Sequence, residues 1–261
     1  MPAVHANGID INYAESGEGF PLILLHGLSD DLNLWAMTVP ALSGKFRTIA
    51  FDLRGHGHSS KPDAPYTMQL LAGDLYGLME ALQIERAHIM GLSMGAAIAQ
   101  LFATFHPEKS DRLVLLSTFD HADRHLRERC AGLVQSLEAG DMAGFFDGAV
   151  KLVVSADFIA ANQSAMAEAK KYCMAVNSPS ALARVISGCM SFDGREYTKR
   201  ITAPALLISG KEDRFTRAAL AGEVHRAIPG SQWLVMDGVG HNLLVPDNLP
   251  RVLDAVMGFL R

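Results

Sequence analysis

Short runs of apolar residues alternate with longer amphipathic stretches along most of the chain. The runs at 21–25 (PLILL) and 113–116 (LVLL) are uninterrupted, as is typical of strands that are buried on both faces of a parallel sheet. The pattern predicts strands at 21–25, 46–51, 113–116, 205–209, 232–236 and from Ala87, and helices at 33–43, 66–82, 216–228, 249–260 and after Gly95. This alternation predicts an α/β protein with a doubly wound, mostly parallel sheet.

Two segments depart from this alternation. Residues 3–14 alternate weakly around Asn7-Gly8, which predicts a hairpin of two edge strands. Residues 121–200 contain no convincing strand and have a helical pattern. We therefore expect a core made of residues 1–119 and 200–261, with a helical cap inserted at 120–199. The methionines and phenylalanines of the cap either pack it onto the core or line an apolar pocket.

Composition and charge narrow the classes of function. With 261 residues, 49% of them apolar, the chain can bury a substantial core. Its net charge of −5 and the lack of a long basic run argue against nucleic acid or an anionic membrane surface as a partner. No apolar run is long enough to predict a membrane span, and the N-terminus has no signal-peptide pattern. A homo-oligomer stays possible.

Cysteine usage favours a reducing compartment. The chain has three widely spaced cysteines, Cys130, Cys173 and Cys189, and no C-x-x-C motif. An odd number at this spacing argues against a disulfide framework or a structural zinc site. We therefore expect a cytoplasmic protein.

The strongest chemical signal is Gly91-Leu92-Ser93-Met94-Gly95, which fits G-x-S-x-G. It lies between a predicted strand and a predicted helix, where a sharp turn holds the serine in a strained conformation with its hydroxyl above the sheet. The positions two before and two after the serine must be small because strand and helix converge there, and both are glycine. The pattern predicts a nucleophile at Ser93, although a glycine-rich turn without a catalytic role would share it.

A serine nucleophile needs a base, and the base needs a carboxylate that orients it. His241 follows the strand 232–236 in a glycine-flanked loop, and Asp213 follows the strand 205–209. Because functional groups gather where parallel strands end, we expect the triad Ser93, Asp213 and His241. Glu212 and Asp120 are alternative acids, and Asp213 could instead cap the following helix.

Two backbone amides should bind the oxyanion of the reaction. The N–H of Met94, at the start of the predicted helix, is one donor, because it has no acceptor within the helix. The second should come from Leu28, in the loop after the strand 21–25. We expect His26, two residues earlier, to brace this loop.

His56 and His58 form an H-x-H pattern near Asp52. A metal site is one interpretation, but no further ligand cluster supports it. We instead expect a glycine-rich turn that Asp52 and Arg54 brace by ion pairing and hydrogen bonds. No metal or cofactor is implied.

Together these motifs resemble the α/β-hydrolase superfamily, in its order and at similar spacing along nearly the whole chain. They are His26-Gly27, the segment 52–59 (DLRGHGHS), Gly91–Gly95, Gly210–Asp213 and Gly240-His241. The stretch LAGDLYGLMEALQIERAHIMGLSMGAAIAQ is most similar to 3-oxoadipate enol-lactonases and related small bacterial esterases and lactonases. Leu28 stands where haloperoxidase-like members carry an aromatic residue. Ser93 replaces the aspartate nucleophile of dehalogenases and epoxide hydrolases.

The resemblance and the residues together predict a serine hydrolase. We expect it to cleave a small, partly hydrophobic carboxylic ester or lactone through an acyl-enzyme. Two alternatives stay open: hydrolysis of a C–C bond in a ring-cleavage product by the same triad, and a ligand-binding protein that kept the fold without its activity. The cap, on which substrate choice depends, carries no recognisable signature.

Overall fold

A computed structural model describes residues 2–261, and an eight-stranded sheet runs through it. The spatial order of the strands is β1-β2-β4-β3-β5-β6-β7-β8. β1 and β2 form an antiparallel hairpin, β2 pairs antiparallel with β4, and all the other pairings are parallel. The strands are β1 (Ala3–Ala6), β2 (Ile9–Ser16), β3 (Phe20–Leu25), β4 (Phe46–Phe51), β5 (Ala87–Leu92), β6 (Ser110–Leu116), β7 (Ala205–Gly210) and β8 (Gln232–Met236). The predicted doubly wound, mostly parallel sheet is confirmed.

Helices cover both faces of the sheet. They are α1 (Val39–Leu42), α2 (Met68–Ala81), α3 (Met94–Phe105), α4 (Arg124–Glu138), α5 (Met142–Val153), α6 (Ala156–Ala161), α7 (Gln163–Val176), α8 (Pro179–Met190), α9 (Arg195–Thr198), α10 (Ala218–Ala227) and α11 (Leu249–Phe259). Ile23 and Leu25 of β3 belong to the apolar cluster that includes α2, α3 and α10. Their neighbours Leu22 and Leu24 belong to the cluster that includes α1 and α11. The two-residue period of a strand thus divides the core into two layers.

The single helix expected at 33–43 is wrong. The chain forms a 3₁₀ turn at Leu32–Trp35 and then the short helix α1. Pro40 lies in the first turn of α1, where its missing N–H costs nothing, whereas in the middle of a longer helix it would remove a hydrogen bond and clash with the preceding turn. The helix therefore starts anew at Val39.

Helices α4 to α9 lie between β6 and β7, in the segment expected to form a cap. An isolated antiparallel bridge between His121 and Asp193 joins the two ends of this segment. The boundaries of core and cap stay a proposal. Cys130, Cys173 and Cys189 are buried and free, and each lies on one of these helices. Among residues 2–261, no helix combines the length and the apolar character that crossing a bilayer requires.

Candidate active site

The turn between β5 and α3 holds Ser93 in a conformation that is rare for a side-chain-bearing residue. Its φ is 55° and its ψ is −115°, as expected of a strained strand-to-helix turn. A Cβ on Gly91 would overlap the backbone of Gly95, and a Cβ on Gly95 would overlap the carbonyl oxygen of Leu25. Both glycines are therefore required by the close approach of β3, β5 and α3, as the motif predicts. The Ser93 N–H donates to the Leu116 carbonyl at 2.8 Å, which ties the turn to β6.

His241 and Asp213 lie in the loops that follow β8 and β7, and the structure brings them into contact. The Nδ1 of His241 is 2.8 Å from Oδ2 of Asp213, and both side chains are buried. The other carboxyl oxygen, Oδ1, accepts hydrogen bonds from the N–H groups of Phe215 and Thr216, at 2.7 and 2.9 Å. The Phe215 ring packs edge-on against the imidazole. The Asp213 carboxylate is therefore fixed by the backbone and fixes the imidazole in turn.

Thr216 is a part of this arrangement that sequence reasoning missed. Its Oγ1 is 3.0 Å from Nδ1 of His241 and 3.1 Å from Oδ2 of Asp213, and it lies 2.9 Å from the carbonyl oxygen of Ser117. The threonine is buried. The signal that could have found it is the spacing Asp-x-x-Thr before α10, which is typical of a turn whose side chains bond to nearby backbone groups.

The two alternative acids lie elsewhere. Oδ1 of Asp120 is 2.9 Å from Nδ1 of His121, its neighbour in the chain. Glu212 is exposed to solvent. Of the three candidate acids, Asp213 is the one in contact with His241.

The two residues whose amides are expected to bind an oxyanion are placed differently in the structure. Met94 is the first residue of α3, so its N–H has no acceptor within the helix. Leu28 lies in the loop after β3 and lines the same cavity as Ser93. Buried His26 fixes this loop: its Nε2 accepts the N–H of Leu53 at 2.9 Å, and its Nδ1 is 2.7 Å from the Gly27 carbonyl. His26 thus occupies the bracing position expected of it.

The turn that contains His56 and His58 is held mainly by Asp52. Its carboxyl oxygens accept from the N–H groups of Leu32 and His58 and from the Asn12 amide. Arg54 does not pair with Asp52 but forms a two-pronged ion pair with Asp74, at 2.8 and 2.6 Å.

Burial affects the protonation of His56. Burial lowers the pKa of His56 to about 3, with the neighbouring His26 adding to the effect, so His56 is neutral near physiological pH. Within residues 2–261, no three His, Cys, Asp or Glu side chains are grouped so that they could hold a metal ion.

Ser93 and His241 line a cavity of about 240 Å³ between the strand-end loops and the helices that follow β6. Its apolar wall comes from helices α4, α5 and α7 and includes Leu133, Phe146, Val150 and Val176. This volume lies just below the range of about 300–1,000 Å³ that is usual for ligand pockets. The arrangement suits a small molecule with an apolar part.

The lining of the cavity also includes two aspartates that the sequence patterns did not single out. Asp30 and Asp31 lie in the loop after β3, beside Leu28. Oδ2 of Asp31 accepts a hydrogen bond of 2.6 Å from the Tyr172 hydroxyl of α7. Burial, together with that bond, raises the pKa of Tyr172 to about 12, so the hydroxyl keeps its proton and remains a donor.

Two family models match the chain. One, described as "alpha/beta hydrolase fold", covers residues 21–146, and the other, described as "TAP-like protein", covers residues 162–261. The crystal structure of the enol-lactonase from Burkholderia xenovorans LB400 superposes with a TM-score of 0.92, at 28% identity, and the match covers 99% of each chain. The expected fold and the resemblance to enol-lactonases are confirmed.

Relatives with other activities are also similar. A putative carbamate hydrolase, RutD, from Caulobacter sp. (strain K31) is 26% identical over 92% of this chain and 90% of its own length. The 2-hydroxymuconate semialdehyde hydrolase of Pseudomonas sp. (strain CF600) is 39% identical, over 43% of this chain and 41% of its own. The similar proteins are thus hydrolases of more than one bond type.

Proposed function

We propose that this chain, which belongs to the α/β-hydrolase superfamily, is a serine hydrolase that cleaves a small carboxylic ester or lactone through an acyl-enzyme. One observation carries the proposal. His241, which is in 2.8 Å contact with Asp213, lines the same cavity as Ser93 of the strained turn. A nucleophile, a base and an orienting carboxylate are the three parts that this chemistry needs.

In this mechanism His241 accepts the proton of the Ser93 hydroxyl as the oxygen attacks the carbonyl carbon. The N–H groups of Leu28 and Met94 stabilise the negative charge on the tetrahedral intermediate. Asp213 accepts a hydrogen bond from the N–H at Nδ1 and remains a carboxylate. This bond leaves Nε2 free to act as the base and stabilises the imidazolium.

The second half of the reaction reuses the same groups. His241 gives its proton to the leaving alkoxide, so that an alcohol departs and the acyl group stays on Ser93. His241 then takes a proton from water, whose oxygen attacks the acyl carbon. The bond to the Ser93 oxygen breaks, that oxygen takes the proton back from His241, and the acid departs. This sequence needs no metal or cofactor. The proposal includes a cytoplasmic setting, which rests on the three unpaired cysteines.

A second candidate is hydrolysis of a C–C bond in a ring-cleavage product. The similarity to the 2-hydroxymuconate semialdehyde hydrolase favours it, since identity reaches 39% over the matched 117 residues. A panel of p-nitrophenyl esters, lactones and a ring-cleavage product, each supplied to the purified chain, separates the two activities by which substrate is turned over.

The test of the nucleophile is Ser93→Ala, assayed with p-nitrophenyl esters and with a fluorophosphonate probe. We expect ester turnover to fall by at least about 1,000-fold and the labelling to disappear. Ser29→Gly is the matched control, because Ser29 also lines the cavity and its φ of 61° suits glycine. The control should keep both activity and label. If the wild-type chain takes no label and turns over no ester, a non-catalytic binding protein is the better description.

A further inference from the structure

The cavity beside Ser93 carries negative charge without a balancing cation. Within the described part of the chain, its lining includes Asp30 and Asp31 but no lysine or arginine. A substrate carboxylate placed there would meet like charges and lose its hydration without gaining a partner, which is unfavourable. The composition of the lining therefore disfavours acyl groups that carry a carboxylate.

The carboxyl group of Asp30 lies near Ser93. An atom placed as a Cβ on Gly27 would lie 3.2 Å from Oδ2 of Asp30 and 3.7 Å from Cβ of Ser93. The carboxyl group and the serine therefore flank the same glycine. Asp31 accepts hydrogen bonds from the Tyr172 hydroxyl and from the Asn33 N–H. No group within residues 2–261 donates a hydrogen bond to the Asp30 carboxyl. Asp30 is thus free to face a bound molecule.

The surroundings of Asp30 affect its protonation. Burial and the neighbouring Asp31 raise the pKa of Asp30 to about 7, and nearby His241 acts in the opposite direction. Near neutral pH the carboxyl is therefore partly protonated and can donate a hydrogen bond to an uncharged oxygen. At higher pH it is an anion that repels other anions.

We propose that this cavity selects acyl groups without negative charge and that Asp30 is the residue that excludes carboxylates. This inference rests on the proposed esterase or lactonase function and narrows its substrate class to uncharged esters and lactones with a short apolar acyl part. The enol-lactone of 3-oxoadipate retains a free carboxylate, so it falls in the excluded class despite the resemblance to enol-lactonases.

A matched pair of substrates tests the selection. p-Nitrophenyl valerate and mono-p-nitrophenyl glutarate have the same number of acyl carbons, and the second ends in a carboxylate. At about pH 8 we expect kcat/KM for valerate to exceed that for glutarate by at least about 100-fold, after correction for spontaneous hydrolysis. Equal values, or a preference for glutarate, would overturn the proposal.

Asp30→Asn tests the residue. It removes the charge at similar size and should reduce the valerate-to-glutarate ratio by about tenfold or more. Asp157→Asn is the matched control, since it changes the net charge equally at an exposed position on α6, and it should leave the ratio unchanged. Should Asp30→Asn not fold, the wild-type chain gives a second measurement: its ratio should rise between about pH 6 and about pH 8 as Asp30 loses its proton. If the ratio changes neither with Asp30→Asn nor with pH, Asp30 is not the residue that excludes carboxylates.

Binding separates this proposal from the proposed function. The Ser93→Ala chain is titrated calorimetrically with two stable amides, N-(4-nitrophenyl)valeramide and the 4-nitroanilide of glutaric acid. We expect the neutral amide to bind at least about tenfold more tightly. That result without any ester turnover in the wild type would retain the selectivity and reject the hydrolase. Equal binding, tighter binding of the anion, or binding of neither would reject the selectivity.

Discussion

At the scale of single residues, His241 is held by two side chains rather than one. Asp213 accepts a hydrogen bond from its Nδ1. The Thr216 hydroxyl contacts that nitrogen, the Asp213 carboxylate and the Ser117 carbonyl. A hydroxyl in this position restricts the tilt of the imidazole, which decides whether Nε2 faces Ser93. We therefore regard Thr216 as a positioning residue.

Thr216→Val should lower kcat by about 10- to 100-fold with little change in KM. Misplacing a catalytic group by a fraction of an ångström reduces the stabilisation of the transition state more than it reduces substrate binding. The measurement is steady-state kinetics on a p-nitrophenyl ester well below the unfolding temperature. Thr216→Ser keeps the hydroxyl and should restore most of kcat. If valine and serine behave alike, the hydroxyl does not position His241.

Asp30 should destabilise the folded state at neutral and alkaline pH. In the unfolded chain its carboxyl ionises near its ordinary value of 3.8, whereas in the fold burial and Asp31 hold its pKa at about 7. The folded state thus binds the proton more tightly, so the stability from this group is present below about pH 4 and declines as the pH rises to about 7.

Asp30→Asn should therefore raise the free energy of unfolding at about pH 8, by up to about 4 kcal/mol, and have little effect at about pH 4. Urea unfolding at the two pH values measures the difference. The exposed Asp157→Asn serves as the control and should show no such dependence. An equal effect of Asp30→Asn at both pH values would contradict the raised pKa.

The sequence identified residues whose position in the chain is informative and missed those whose role depends on neighbours in space. Ser93 is marked by its glycines, and Asp213 and His241 directly follow predicted strands. Asp30 carries no such mark, because its surroundings come from burial and from His241, which is near it in space but far away in the chain. Arg54 was expected to act beside Asp52 but pairs with Asp74 of α2, a contact that no local pattern predicts.

At the scale of elements, the packing of α3 against the sheet depends on Gly95. A Cβ there would overlap the carbonyl oxygen of Leu25 and crowd that of His26, both of them backbone atoms that cannot rotate away. Gly95→Ala should therefore reduce the free energy of unfolding by about 3 kcal/mol or more, or prevent folding.

Gly132→Ala is the matched control. Gly132 lies in α4, and a Cβ on it meets nothing within 4 Å. Alanine favours a helix over glycine by about 0.5–1 kcal/mol, so this variant should be slightly more stable. Thermal and urea unfolding of both variants measure the contrast. A Gly95→Ala chain as stable as Gly132→Ala would show that α3 can move away from β3.

Element prediction succeeded where one physical cause dominated. Strands β3 and β7 read as apolar runs because helices cover the sheet on both faces. The stretch 33–43 failed because its apolar spacing suits a helix while Pro40 requires a new start. The hairpin of β1 and β2 followed from Asn7-Gly8, and both residues have positive φ, at 47° and 75°.

At the scale of the whole molecule, the cavity is closed by contacts between segments far apart in the chain. Tyr172 of α7 donates to Asp31 and accepts from the Asn33 side chain. The Asn177 side chain donates to the Ser29 carbonyl at 3.2 Å. The helical pattern of 121–200 predicts the elements of this segment, but not which of them faces the loop after β3. The shape of the cavity, and hence the substrate, lay beyond sequence reasoning for this reason.

Tyr172→Phe should loosen α7 from the strand-end loop without unfolding the molecule. It removes the 2.6 Å hydrogen bond to Asp31 and leaves a buried carboxylate oxygen without that donor, at a cost of about 1–3 kcal/mol. Amide hydrogen exchange should accelerate in α7 and stay unchanged in α2 and α3, and KM for an uncharged ester should rise about threefold to tenfold.

Lys170→Gln is the control on the same helix, because Lys170 pairs with Asp147 of α5 and not with the loop. It should leave KM near the wild-type value. Faster exchange throughout the sheet in Tyr172→Phe would instead mean that this contact stabilises the whole fold, and an unchanged KM would mean that α7 does not control access to Ser93.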